Sequence, residues 1–138
     1  MGKIQNPAPN KGVGNDNDRE KVMSFNGKHN RVVGRCLVLL YDCQQSGIFP
    51  HGLNLTQIQR GADVGSDYLM NKVTKWREWD YVVGKPIPMS QGRARWCYRI
   101  GAQGIKLIES LPIEVLSDIR MELAVSIVDL PDVPDPEN

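Results

Sequence analysis

The run Ser66-Asp67-Tyr68-Leu69-Met70-Asn71, with the cations on either side of it, holds the residues of this chain whose types could do chemistry. That chemistry is recognition by hydrogen bonds and charge. Leu69, Val73 and Trp76 stand at spacings of four and three, so they share one helical face and should be buried. With that face inward, Ser66, Asp67, Met70, Asn71, Thr74 and Lys75 point outward. An asparagine can bond an adenine edge through two atoms at once, and an aspartate can accept from a cytosine amino group. Lys72 and Lys75 would meet phosphates, which hold register without reading sequence. Arg60 precedes this helix. Lys85, Arg93, Arg95 and Arg99 follow it, with no acid between Lys85 and Arg99. An arginine at the tip of a turn can enter a narrow A·T minor groove, where negative potential concentrates.

Residue classes for covalent catalysis are thin. There is no GxxxxGK phosphate loop, no HExxH and no Cys–His pair at telling spacing. Asp42, Asp63, Asp67, Glu78 and Asp80 are scattered with no histidine to work with. No metal site is expected, because His29 and His51 have no second ligand at metal-binding spacing. No cofactor is expected and the chain reads as a non-enzyme. Cys36, Cys43 and Cys97 form no CxxC and no even-numbered framework, so three reduced, buried thiols are expected in a cytoplasmic protein.

These residues need elements to position them. In 53–62, Asn54 can accept from a free N–H while Gln57 reaches back, the reciprocal geometry of a capping box. Ile58 and Ala62 then face one way. Asp63-Val64-Gly65 makes a tight turn, and a second helix starts near Ser66. A helix of about eight residues, a turn and one of about twelve make a helix-turn-helix, whose second helix can enter a major groove. Upstream, a wide apolar stripe over 28–45 (Val32, Cys36, Leu39 and Cys43, with Val33, Leu37 and Leu40 beside it) predicts a long helix ended by Gly47. Downstream, Tyr81-Val82-Val83 starts a strand whose Pro86 and Pro88 suit an edge. Ser90-Gln91-Gly92-Arg93 is a turn. The return strand over 95–100 places Trp96, Tyr98 and Ile100 on one face and Arg95, Cys97 and Arg99 on the other.

Over 30–110 the chain resembles the winged helix-turn-helix of MarR-like and ArsR-like transcriptional regulators. The apolar framework Leu53, Leu55, Ile58, Ala62, Val64, Leu69, Val73, Trp76, Tyr81 and Val82 falls in that family's register without a gap. The run from Arg95 to Ile108, with Gly104 in the family's position, resembles the exit from the wing into the next helix. Asp63 and Asp80 depart from the pattern by standing where the family usually has glycine. Both positions call for a left-handed backbone, which aspartate tolerates better than most residues. The resemblance implies an α+β fold, a three-helix core with a β-hairpin wing. It places Ser66, Asp67 and Asn71 where base-edge contacts are usually made.

The net charge of +1 conceals an asymmetry. Residues 26–110 hold twelve Lys or Arg against six Asp or Glu, and residues 111–138 hold one Arg against seven acids. The basic charge sits on the part that resembles a DNA-binding fold, as a polyanion partner requires. The longest apolar run, 36–41, is too short to span a bilayer, so no membrane is expected.

Four segments are expected: a disordered 1–25, the winged domain over 26–110, a C-terminal helix over 111–128 and an acidic disordered tail over 129–138. Ile113, Leu116, Ile119, Leu123 and Ile127 recur at helical spacing, and their apolar surface predicts a homodimer, the alternative being that this helix folds back on the first helix within one monomer. Sequence-specific binding of double-stranded DNA by a transcriptional regulator is the function expected. The helix over 66–78 would lie in the major groove, and the wing over 84–99 on the backbone or in the minor groove. Base contacts fall to Ser66, Asp67, Met70 and Asn71, and backbone or wing contacts to Arg60, Lys72, Lys75, Lys85, Arg93 and Arg95. The other reading is a winged-helix protein-interaction module without DNA binding. Nothing in the sequence names a small-molecule effector.

Overall fold

The structure, a computed structural model, describes residues 28–89, 92 and 94–132, with side chains from Arg31 onward. The expected disordered segment 1–25 therefore lies outside the described residues, as does the end of the acidic tail. Residues 35–138 form one compact unit. Of the chain before residue 35, the opening turns of the first helix are described. Among the described residues the architecture is α+β: five helices and a two-stranded antiparallel hairpin, compatible with a winged-helix-like arrangement.

Helix α1, Lys28–Ser46, is the longest among the described residues. Cys36, Leu37, Val38, Leu39, Leu40 and Cys43 are all buried, which is why its apolar stripe is so wide. Gly47, at φ 70°, ends it and returns its N–H to the Cys43 carbonyl at 3.1 Å. The loop that follows brings Leu53 beside the hairpin, where Leu53 and Tyr98 exchange backbone hydrogen bonds of 2.9 and 2.7 Å.

Helix α2, Leu55–Ala62, starts with the expected capping box. The Gln57 N–H donates to Asn54 Oδ1 at 2.8 Å, and the Asn54 N–H donates to Gln57 Oε1 at 2.9 Å. Both side chains are buried, so each satisfies a donor that water cannot reach. Asp63 closes the helix in the left-handed region at φ 56°, and Asp80 adopts φ 60° after the next helix. Both aspartates take the backbone expected of them. Arg35 Nε donates to the Ala62 carbonyl at 2.8 Å, placing a cation at the negative end of α2.

Helix α3, Ser66–Glu78, buries Leu69, Val73 and Trp76 and no other residue. Asp67 lies in its first turn and Lys75 and Arg77 in its last, each with the sign the helix dipole favours. Strands β1, Val82–Pro88, and β2, Ala94–Ile100, pair from Val82↔Ile100 to Pro88↔Ala94. The far edge of β2 pairs with Leu53, so β1, with its two prolines, is the edge strand, as its composition requires. Helix α4, Ala102–Glu109, buries Leu107 and Ile108.

The C-terminal region departs from expectation. Helix α5 spans Ile113–Met121 and stops there instead of running to 128. The N–H groups of Ala124 and Val125 donate to the Gly61 carbonyl at 2.8 and 3.3 Å, meeting an acceptor at the end of α2 instead of continuing the helix. The dimerisation stripe is dismantled as a result. Ile119 and Ile127 are buried within the unit, Leu116 and Leu123 are half-buried, and only Ile113 stands 81% exposed. Arg120 binds Asp42 of α1 through both Nη2 (2.6 Å) and Nε, so α5 folds back on the first helix. The start of the acidic tail is also ordered, since Leu130 is buried and Gln57 Nε2 donates to the Pro131 carbonyl at 3.2 Å.

Candidate nucleic-acid interface

Three buried anchors leave α3 an outward face whose composition follows from its period of 3.6 residues. Asp67, Asn71, Thr74 and Glu78 lie opposite the buried stripe, and all are exposed. Ser66, Met70 and Arg77 form one flank, with Met70 57% exposed and the Ser66 hydroxyl 3.9 Å from its sulfur. Tyr68, Lys72 and Lys75 form the other. Lys72 Nζ lies 5.8 Å from the Tyr68 ring centroid, and burial pushes the Tyr68 phenol up, so the ring stays neutral beside the cation. The four residues expected to contact bases are thus brought together on one exposed surface, with Lys72 and Lys75 beside them. Arg60 is exposed in the last turn of α2.

The hairpin treats its cations differently. Side chains alternate across it, so Lys85, Arg95, Cys97 and Arg99 share one face, and Trp96 and Tyr98 share the other. Lys85 is exposed. Arg95 is not the open contact expected: only 18% of its side chain is exposed, and its Nη2 lies 3.5 Å from Asp132. The C-terminal segment returns to this face and supplies that carboxylate. Arg95 and Asp132 line a cleft of about 590 Å³ with Ile48, Phe49, Ile87 and Met89 among its apolar walls. Arg93 lies outside the described residues.

The arrangement at the junction of α3 and the hairpin was not legible in the sequence. Arg77 Cζ sits 5.2 Å from the centroid of the Trp96 ring, and that ring stacks on Tyr98 at 6.5 Å and 28°. Trp96 shares the face expected for it with Tyr98 and Ile100, and it is 42% exposed while those two are buried. The available signal was the position of Arg77 two helical turns after Met70, on the same flank.

Groups suited to other chemistry are sparse. Burial pushes the Cys36 thiol up to about 12 and the Cys43 thiol to about 11, so neither is a thiolate nucleophile at neutral pH. Among the described residues no group of three or more His, Cys, Asp or Glu is placed to hold a metal. No described helix is long and apolar enough to cross a membrane.

The chain matches no protein-family model, no curated protein and no solved structure.

Proposed function

We propose that this protein is a winged helix-turn-helix transcriptional regulator that binds double-stranded DNA sequence-specifically. In this reading α3 enters the major groove and presents Ser66, Asp67, Met70 and Asn71 to base edges. Lys72, Lys75 and Arg60 meet phosphates, and the hairpin reaches the backbone through Lys85. The observation that carries it is the outward face of α3. Its side chains are exposed and, Met70 apart, polar, and the helix that bears them is anchored by the buried Leu69, Val73 and Trp76. Two copies on a two-fold site remain part of the proposal, with Ile113, Met121 and Val128 as the exposed apolar surface left for pairing.

A protein-interaction module is the second reading, favoured by one specific observation. Asp67 and Glu78 both lie on the outward face of α3, and exposed Met70 flanks them. Salt separates the two. Binding of a labelled random-sequence duplex through several phosphates should lose orders of magnitude in affinity from low to moderate salt. No duplex binding at low salt would favour the protein module.

A further inference from the structure

We infer that Arg77, laid over Trp96, is a fixed phosphate contact where α3 meets the hairpin, and that Trp96 is its positioning residue. The inference deepens the DNA reading above and rests on it.

Arg77 belongs to the Ser66–Met70 flank of α3, so its guanidinium continues the edge at which bases would be read. It lies over the exposed Trp96 ring at 5.2 Å. A contact with a ring face neutralises no charge and gives the guanidinium no oxygen acceptor for its N–H donors, which suit a phosphate. Among the described residues no carboxylate pairs with Arg77, in contrast to Arg35, Arg95 and Arg120. Its charge is therefore held in place without being neutralised.

The platform beneath it is built from the core outward. Trp96 stacks on Tyr98, which is buried and bonded through its backbone to Leu53. Gly84 faces Tyr98 across the hairpin. A Cβ at Gly84 would stand 2.8 Å from the Tyr98 ring and 3.3 Å from Arg77 Nε, so the missing side chain lets arginine, ring and strand approach one another. An arginine that rests on a ring has less freedom to lose on meeting a phosphate than one that extends into solvent.

The test uses the full chain and a labelled random-sequence duplex, titrated across a salt series. Arg77→Gln changes an exposed residue and removes one ring contact, so melting should fall only slightly. It should lower affinity and reduce the slope of log affinity against log salt by about 0.9, one phosphate's worth. Arg77→Lys should keep the slope but bind several-fold more weakly, because an ammonium neither stacks flat nor forks. Trp96→Leu should weaken binding, Trp96→Phe should restore most of it, and adding Trp96→Leu to Arg77→Gln should cost nothing more. Additive losses would mean that Trp96 touches DNA itself and would overturn its positioning role. Wild-type binding with an unchanged slope in Arg77→Gln overturns the phosphate contact and leaves the DNA reading standing. A wild-type chain that binds no duplex overturns both.

Discussion

Helix α3 and the Lys85–Arg95 face of the hairpin both carry cations, yet their cations are in different states. On α3, Lys72, Lys75 and Arg77 are exposed, and the contacts of Lys72 and Arg77 are with rings that leave their charge unneutralised. On the hairpin, Arg95 is mostly covered and meets Asp132 of the returning C-terminal segment. A cation beside a ring keeps its charge available to a polyanion, while one beside a carboxylate has spent it inside the molecule. The difference teaches that counting basic residues overstates a binding surface. Net charge over 26–110 treats Lys75 and Arg95 alike, and the fold does not.

The largest effect expected is on what holds the α3 face in place. Trp76 is buried beneath it, so Trp76→Ala should cost about 3–5 kcal/mol of stability, measured by urea unfolding. A loss under about 1 kcal/mol would mean that the face is not fixed by its anchors. Next is the reading itself. Asn71→Ala should cost about 1–3 kcal/mol on a preferred duplex and much less on random DNA. Equal losses on both would show that α3 does not discriminate sequence.

A smaller effect sharpens the contrast between the two regions. Lys75→Ala should reduce the salt slope by about 0.9, and Arg95→Ala should leave it unchanged. The Arg95 variant should lose under about 1 kcal/mol of stability through this pair, because Asp132 is 73% exposed and solvent screens the interaction. A reduced slope for Arg95→Ala would return that arginine to the DNA surface and erase the distinction. The last expectation concerns pairing. If two copies associate through Ile113, Met121 and Val128, then Met121→Glu should shift sedimentation toward the monomer. An unchanged sedimentation coefficient would remove that surface from the account.

What could be read in the sequence was what local physics decides. The capping box at Asn54 and Gln57, the left-handed Asp63 and Asp80, and the Leu69–Val73–Trp76 stripe each depend on residues within a few positions of one another. The end of α5 was illegible because the acceptor for Ala124 and Val125 is Gly61, far back in the chain. Arg95 was misplaced for the same reason: alternation assigns it a face but does not reveal that Asp132 comes to cover it. Trp96 shows the limit of alternation most plainly. Alternation places Trp96 on one face with Tyr98, and it does not say that Tyr98 is buried there while Trp96 is 42% exposed.

The central claim is that the outward face of α3 reads double-stranded DNA, and selection of bound duplexes from a random-sequence pool tests it most directly. The account predicts enrichment of a discrete sequence by the wild-type chain, with enrichment weakened or shifted by Asn71→Ala. A folded wild-type chain that enriches no sequence would contradict it.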